Sequence, residues 1–315
     1  MILAGIDIGT NTLRLLIAET DRGSLREVFS DRRITRLGQG LERSGMIDAG
    51  AAERSVNILL DFAEAIRMHG VQHTSAIGTS ALRNASNTRQ FLSTVKGHTG
   101  IDIQVVSGEE EARLTLLGVR HSLKDAGRSP SPAASCVIDV GGGSTEVIVA
   151  RGDGDPVVVS LPLGAVYLTE RFLTHDPPSG NDLERMRGMV RDELDSRLGV
   201  LQSVTPGLFI GTAGTVATLA SINLGFEVYD PARINGSTLT RDGIDDMILA
   251  LSRLTREERK NVRGLEPGRE DIIIAGAVIT REVMARFGRM SMLVSVWGLR
   301  EGIVLALDER LNKQV

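Results

Sequence analysis

Residues 6–12 read IDIGTNT, and residues 138–144 read IDVGGGS. The two stretches align without a gap, so that Asp7 matches Asp139, and apolar runs continue on both sides of each. In both, a glycine-containing turn joins two strand-like runs, a pattern typical of a β-hairpin. The offset, 139 − 7 = 132 residues, is far longer than a solenoid repeat. The sequence therefore predicts two similar α/β domains, each opening with a hairpin whose turn faces a shared ligand.

The composition excludes several classes of protein. A chain of 315 residues is long enough for two domains of ordinary size. Its net charge of −4 does not suit a protein that coats nucleic acid, so no nucleic-acid partner is expected. A single cysteine, Cys136, excludes an internal disulfide framework and favours a cytoplasmic location. No apolar run reaches the roughly 18 residues of a membrane span, and the opening MILAGIDIGT reads as a strand.

The rest of the chain alternates between helix-like and strand-like segments. Residues 48–69 carry the i, i+3, i+4, i+7 apolar spacing of a helix, with Asp48 as its N-cap and Gly70 as its stop. Residues 125–135 are rich in Gly, Pro and Ser and are expected to form an exposed loop. Further helices are predicted at 86–96, 107–123, 164–173, 181–203, 214–224, 241–253, 270–287 and 298–311, and strands at 74–78, 102–106, 207–211 and 292–296.

Three glycine-containing loops are candidates for binding phosphate. After Gly9, the donors Thr10, Asn11 and Thr12 can form an anion nest, although an ordinary hairpin turn would use the same residues. The second turn has three consecutive glycines, which a plain hairpin does not need, so a ligand packed against its backbone is expected there. A third loop lies between a strand and a helix, where helix N–H groups point at an anion. The candidates in these two loops are Gly141, Gly142, Gly143 and Ser144, and Gly211, Thr212, Gly214 and Thr215.

Acidic residues are candidates for metal ligands and for a general base. Asp139 and Glu146 bracket the second turn and, with Asp7, are hard oxygen ligands that suit Mg²⁺. Residues 109–111 are three glutamates at a helix start, where Ser107 and Glu110 fit a capping box. One of the three could act as a general base, but the spacing does not choose among them.

Arginine is the other candidate phosphate ligand. Arg83 lies in a Gly/Ser/Thr turn after a short strand and can bind a phosphate in bidentate fashion. A second basic group is expected to be an ordinary surface patch; it consists of Arg32, Arg33 and Arg36.

These motifs resemble the exopolyphosphatase and guanosine pentaphosphate phosphohydrolase (Ppx/GppA) family of the actin–Hsp70–sugar-kinase superfamily. The matching stretches run from residue 3 to about 305 and read GIDIGTNTLRLLIAE, AIGTSALRNASN, VVSGEEEARLTLLGV, VIDVGGGSTEVIV, GTAGTVATLA, REDIIIAGAVI and VWGLREGIVL. The pair SGEEEARL and IDVGGGSTE separates this family from kinases and chaperones of the same fold.

The resemblance implies a fold and a reaction. The fold would be two RNase H-like domains flanking an active cleft, with domain I at 1–127 plus a returning helix at 299–315, and domain II at 128–298. The reaction would be Mg²⁺- or Mn²⁺-dependent attack of water on a terminal phosphoryl group. The resemblance assigns the general base to Glu111, and the phosphate ligands to Thr10, Asn11, Thr12, Arg83 and residues 141–144. It assigns the metal-side acids to Asp139 and Glu146, and homodimers are common in the family.

Three functions stay open at this point. The first is hydrolysis of the terminal phosphate of inorganic polyphosphate, and the second is conversion of guanosine pentaphosphate to tetraphosphate. The third is a non-catalytic sensor of guanosine polyphosphates, which has no need of Glu111, Asp139 and Glu146 together. Long members of the family carry a further helical region, whereas this chain ends at Val315. It is expected to be the short form, with a preference for shorter polyphosphate or for guanosine pentaphosphate.

Overall fold

The computed structural model describes residues 1–21, 23–125, 134–152, 154–201 and 204–313. The chain divides into two compact units, Met1–His121 with Gly298–Val315, and Ser122–Trp297. The domain boundary predicted between residues 127 and 128, and most of the loop predicted over 125–135, lie outside the described residues.

Unit 1 is built on one mixed sheet. Its strands, within the described residues, are β1 (Ile2–Ile8), β2 (Thr12–Asp21), β3 (Ser24–Ile34), β4 (His73–Gly78) and β5 (Ile103–Val105), in the order β3-β2-β1-β4-β5. The first three strands are antiparallel, while β4 and β5 run parallel to β1. This is the RNase H-like arrangement that the resemblance implies. As a result, β1, β4 and β5 end at the same edge of the sheet.

Helices cover both faces of this sheet. They are α1 (Leu41–Ser44), α2 (Ala49–Met68), α3 (Ser80–Asn84), α4 (Thr88–Thr99) and α5 (Gly108–Asp125), together with α13 (Leu299–Asn312) from the end of the chain. Helix α2 begins as predicted, because the Asp48 side chain accepts a hydrogen bond from the Ala51 N–H at 3.0 Å. Its buried residues include Leu59 and Phe62, which join one core on the inner face of the sheet.

Helix α13 returns to the opposite face of the unit 1 sheet. Val304 and Leu307 pack there against Leu3 and Leu16 of the first two strands. A Cβ added at Gly302 would lie 1.8 Å from the Leu114 carbonyl oxygen, so the backbones of α13 and α5 approach closely. Only glycine permits this contact, which fixes the start of α5 relative to the sheet.

Unit 2 repeats the plan with an added edge strand. Its described strands are β6 (Ser135–Val140), β7 (Thr145–Ala150), β8 (Val157–Leu161), β9 (Leu208–Thr212), β10 (Thr238–Thr240) and β11 (Ser291–Val294). Their order is β10-β11-β9-β6-β7-β8, with β6, β7 and β8 antiparallel and with β9 and β11 parallel to β6. The duplication predicted from the two hairpins therefore extends to the whole sheet.

The helices of unit 2 enclose the larger of the two cores. They are α6 (Ala165–Phe172), α7 (Gly180–Arg197), α8 (Ala213–Leu224), α9 (Pro231–Ile234), α10 (Arg241–Ser252), α11 (Arg256–Arg259) and α12 (Ile273–Arg286), with a short 3-10 turn at Gly199–Leu201. Both α8 and α12 are buried along most of their length, which agrees with their nearly continuous apolar sequences. In the described part of the chain, no helix is long and apolar enough to cross a bilayer.

Strands β3, β8 and β10 were not predicted from the sequence, and one predicted helix was too long. Strand β3 has charged residues on both faces and little burial, so it lacks the alternation that predicts a strand. Strands β8 and β10 are short. The helix predicted at 181–203 ends earlier, at Arg197, and residues 202 and 203 lie outside the described range.

Candidate functional site

In unit 1, three predicted site elements follow the carboxyl ends of parallel strands. The turn at residues 10–12 follows β1, Arg83 follows β4, and Glu111 follows β5. Gly38 links the first two, because a Cβ placed on it would lie 2.3 Å from Thr10 Cγ2 and 3.5 Å from Ala81 Cβ. Ligands of open α/β sheets bind at this edge, so the strand order explains why distant sequence motifs meet here.

The turn between β1 and β2 is tight and buried. The Gly9 N–H donates to the Thr12 carbonyl at 3.0 Å, which closes the turn. Thr10, Asn11 and Thr12 are each less than a tenth exposed. Among the described residues, Asn11 Nδ2 and Thr12 Oγ1 have no hydrogen-bond partner. Buried polar atoms without partners are costly, so this pair of groups fits an anion bound at the turn.

The segment at residues 35–38, which we call the bracing segment, supports the turn through hydrogen bonds to its carbonyl oxygens. The Thr35 and Arg36 N–H groups both donate to the Asn11 carbonyl at 3.0 Å, and the Gly38 N–H donates to the Thr10 carbonyl at 2.8 Å. Because the turn's carbonyl oxygens are satisfied in this way, they are not available to a ligand. The groups that remain at the turn are donors, which favours an anion.

Arg83 and Glu111 form an ion pair at the same edge. Arg83 Nη1 donates to Glu111 Oε2 at 2.6 Å and to the Val106 carbonyl at 3.0 Å. Glu111 is 8% exposed, whereas Glu109 and Glu110 are exposed, so burial distinguishes the three glutamates that the spacing could not. Within the described residues, Nε and Nη2 of Arg83 make no hydrogen bond, so the guanidinium keeps donors for a second oxygen ligand.

The glycine turn of unit 2 has the same closure. The Gly141 N–H donates to the Ser144 carbonyl at 3.0 Å, as Gly9 does to Thr12. Here the turn's carbonyl oxygens accept from the start of α6: the Ala165 N–H donates to the Gly141 carbonyl and the Val166 N–H to the Gly142 carbonyl. The N-terminus of a helix therefore lies behind this turn.

Asp139 and Glu146 are directly opposite each other on β6 and β7. Opposed residues of an antiparallel pair project from the same face, so the two carboxyl groups are neighbours. Both are buried, and Glu146 accepts a hydrogen bond from Ser160 Oγ at 2.9 Å. Two neighbouring buried carboxylates repel each other when both are ionised, and a divalent cation removes that repulsion. This pair fits a Mg²⁺ ion.

The third metal-side residue, Asp7, has a different neighbour. It lies opposite Arg14 on β2, and its Oδ2 is 3.9 Å from Arg14 Nη1. Over the ranges that the structure describes, no group of three or more His, Cys, Asp or Glu side chains is arranged to hold a metal ion. The assignment of a metal to Asp7, Asp139 and Glu146 stays a prediction.

The strand-to-helix loop of unit 2 follows β9. Thr212 is the register partner of Asp139, and its hydroxyl donates to the Trp297 carbonyl at 2.9 Å. Ala213, at the start of α8, has φ = 70°, a conformation that costs an L-residue free energy and is concentrated at functional sites. Gly211 has a packing role, because a Cβ there would lie 2.6 Å from Met292 Sδ.

The remaining candidates differ in their burial and in the elements that carry them. Cys136 is buried in the unit 2 core, as predicted, and burial raises the pKa of its thiol well above the ordinary value. Of the predicted surface patch, Arg33 is exposed and Arg32 and Arg36 are half-buried; the first two belong to β3 and Arg36 to the bracing segment. The sequence did not indicate this segment, the contact of the start of α6 with the glycine turn, or Arg14. The last could have been found by extending the repeat, because Arg14 and Glu146 both lie seven residues after the aligned aspartates.

Both units share the mixed-sheet order of an RNase H-like fold, and each has a glycine turn at the carboxyl end of its first strand. Residues 16–311 match the Ppx/GppA phosphatase family. The chain belongs to this family, as the sequence predicted, and it is a hydrolase of the phosphatase class.

Relatives match along nearly the whole chain. Exopolyphosphatase 2 of Mycobacterium tuberculosis is 33% identical over 97% of this chain and 98% of its own length. Exopolyphosphatase 1 of Mycobacterium bovis is also 33% identical, over 97% and 88%. The crystal structure of the Aquifex aeolicus Ppx/GppA family member has a TM-score of 0.82 and 32% identity, and covers 99% of both chains. That of an exopolyphosphatase from Cytophaga hutchinsonii has a TM-score of 0.86 and 27% identity, with 98% of both covered.

Proposed function

We propose that the protein is an exopolyphosphatase that hydrolyses the terminal phosphate of inorganic polyphosphate with the help of Mg²⁺ or Mn²⁺. The observation that carries this proposal is the half-buried Arg83–Glu111 ion pair, at the same sheet edge as a turn whose buried donors lack partners. The names of the mycobacterial relatives support the choice of polyphosphate as substrate.

In this proposal Glu111 is the general base. Its carboxylate takes a proton from the attacking water while the water oxygen forms a bond to the terminal phosphorus. The anhydride P–O bond breaks, and the shortened polyphosphate leaves with the bonding electron pair. Arg83 keeps Glu111 in place through Nη1 and binds a phosphate oxygen through its remaining donors. A positioned base of this kind accelerates a reaction by roughly 10²–10⁴-fold.

Each unit has its own candidate phosphate-binding groups. In unit 1 these are Asn11 Nδ2 and Thr12 Oγ1. In unit 2, taken by itself, they are the glycine turn at residues 141–144 and the loop at residues 211–215 at the end of β9. Asp139 and Glu146 would hold the cation, with waters and phosphate oxygens as further ligands. When bound, the cation neutralises charge on the phosphates, which is its usual contribution to phosphoryl transfer.

The test is phosphate release from polyphosphates of several lengths and from guanosine pentaphosphate, with and without Mg²⁺. We expect release from polyphosphate that stops when a chelator is added. Release from guanosine pentaphosphate alone would replace the proposal by the second activity, and binding without turnover would replace it by the sensor. A homodimer and a cytoplasmic location stay predictions beside it.

A further inference from the structure

Arg36 has an unusual backbone conformation. Its φ is 54°, and within the described part of the chain only one other non-glycine residue, Ala213, has a positive φ. This left-handed conformation brings Cβ too close to the following carbonyl oxygen, and residues other than Gly, Asn and Asp rarely adopt it. The strain at Arg36 therefore has to be maintained by the contacts around it.

Those contacts lie at the turn between β1 and β2. The Thr35 and Arg36 N–H groups converge on a single acceptor, the Asn11 carbonyl, with both donor–acceptor distances at 3.0 Å. The left-handed Arg36 lies between this pair of hydrogen bonds and the next contact of the segment with the turn. Two residues later the Gly38 N–H reaches the Thr10 carbonyl at 2.8 Å.

The bracing segment is itself anchored to the core of unit 1. Arg54 of α2 donates from Nε and Nη2 to the Thr35 carbonyl, at 3.4 and 3.2 Å. Leu37 is fully buried. The segment is thus anchored by α2 and by the core of unit 1, and its own N–H groups hold the turn. A change in the backbone at Arg36 would release Asn11 without altering any side chain of the turn.

We propose that the left-handed backbone of Arg36, rather than its guanidinium, positions the Thr10–Asn11–Thr12 turn to bind the phosphate chain. Arg36 is on this view a positioning residue. The inference rests on the proposed function, because it concerns how the phosphate-binding turn of that function is held.

The test compares three substitutions that separate backbone from charge. Arg36→Gly and Arg36→Val both remove the guanidinium, but only glycine accepts φ = 54° without strain. Arg36→Lys keeps a positive charge. We expect Arg36→Val to lower kcat/KM for polyphosphate about ten-fold, mainly through KM, and Arg36→Gly to restore it to within about three-fold of the wild-type value. Equal losses in the Gly and Val variants would overturn the proposal, as would a Val variant with wild-type kinetics.

A second measurement does not depend on activity. Amide hydrogen exchange at Arg36 and Gly38, whose N–H groups bond to the turn, should accelerate in Arg36→Val and stay protected in Arg36→Gly and Arg36→Lys. Exchange in β6–β9 of unit 2 serves as the internal control for global unfolding. If the wild-type protein releases no phosphate from polyphosphate, the proposed function fails while this measurement still decides the positioning. Unchanged protection in the Val variant would refute it.

Discussion

The two hairpin turns of the molecule have the same closure and different supports. In each, the first glycine N–H donates to the carbonyl three residues on, and a Cβ on that glycine would lie 3.0 Å from the same oxygen. In unit 1 the turn is braced by the irregular segment at residues 35–38, and in unit 2 by the start of α6. Both supports directly follow the third strand of their sheet. Both units therefore support the turn by hydrogen bonds to its carbonyl oxygens, but different structural elements supply those bonds.

The residue opposite the aligned aspartate, Asp7 or Asp139, also differs between the units. Asp7 faces Arg14, whereas Asp139 faces Glu146, at the same register of the two hairpins. A carboxylate beside a guanidinium needs no cation, but two carboxylates side by side favour one. Under the proposed function we therefore expect the cation at the unit 2 hairpin, whereas the proposed base and anion donors lie in unit 1.

The largest expected effect tests the assignment of the base to unit 1. Glu111→Gln removes the proton acceptor but keeps the shape of the side chain, and Arg83 can still donate to its amide oxygen. We expect kcat to fall by roughly 10²–10⁴-fold with little change in polyphosphate binding, because a base acts on the water and not on the bound phosphate. Steady-state kinetics and binding to the variant measure the two effects separately.

Glu110→Gln is the matched control for this prediction. Its backbone N–H bonds to Ser107 Oγ at 3.2 Å, and its side chain is exposed, so the substitution should leave kcat near the wild-type value. Loss of turnover in Glu110→Gln with activity retained in Glu111→Gln would show that the general base is Glu110 and not Glu111. Activity retained in both variants would mean that the base lies elsewhere or that a phosphate oxygen accepts the proton.

The next effect concerns the opposed carboxylates of unit 2. Glu146→Gln keeps an acceptor for Ser160 Oγ but removes one of the two negative charges. We expect the Mg²⁺ concentration for half-maximal activity to rise roughly 10–100-fold, with a parallel loss of Mn²⁺ affinity measured by calorimetry. Asp192→Asn, which removes an exposed carboxylate of α7 in the same unit, should change neither value. An unchanged metal requirement in Glu146→Gln would show that the cation does not bind at this hairpin.

A third pair of variants compares the two supports directly. A Cβ on Gly164 would lie 2.2 Å from the Gly142 carbonyl oxygen, a backbone atom, whereas a Cβ on Gly38 would lie 2.3 Å from Thr10 Cγ2, a side-chain atom. We expect Gly164→Ala to lower the free energy of unfolding by about 2–3 kcal/mol, and Gly38→Ala to cost less, about 1–2 kcal/mol, because a change in the Thr10 χ1 angle can move the clashing carbon whereas a backbone oxygen cannot move alone. Chemical denaturation measures both values. Equal costs would show that the helix-supported turn is no more rigid than the braced one.

The duplication and the longer helices could be predicted from the sequence. The paired stretches at 6–12 and 138–144 gave the duplication, and the repeat unit was long enough to indicate domains. Helices with one apolar face, such as α2, were predicted within a residue or two of their ends. These features depend on local spacing, which a single sequence displays.

The supports of the turns could not be predicted, because they depend on backbone N–H groups. Thr35, Arg36 and Gly38 carry no side-chain pattern that indicates hydrogen bonds to Thr10 and Asn11. Strand β3, which delivers the segment to its place, was itself missed because charged residues interrupt its apolar pattern. The choice among three glutamates likewise required burial, which only the fold supplies.

The smallest expected effect lies in unit 2 away from its hairpin, at the start of α7. Ser179 Oγ accepts from the Asp182 N–H at 3.1 Å, and Asp182 Oδ2 accepts from the Ser179 N–H at 3.0 Å and lies 2.8 Å from His175 Nδ1. Burial acts to raise the pKa of Asp182, but the hydrogen bonds from His175 and Ser179 outweigh it and lower the pKa to about 2, from an ordinary value of 3.8. The ionised form is therefore the one that stabilises the fold.

Asp182→Asn should consequently destabilise the protein in a pH-dependent way. The folded pKa of Asp182 lies below its unfolded value, so its contribution is complete above about pH 4 and is lost as the pH falls through about 2. We expect a cost of about 1 kcal/mol near neutral pH, the usual value of a helix cap, and a smaller cost in acid, where the carboxyl is protonated in the unfolded chain and begins to be protonated in the folded one. Urea denaturation of wild type and variant at about pH 7 and about pH 2.5 measures the difference. Asp192→Asn on the exposed side of the same helix is the control, and a cost for Asp182→Asn that is the same at both pH values would refute the assignment.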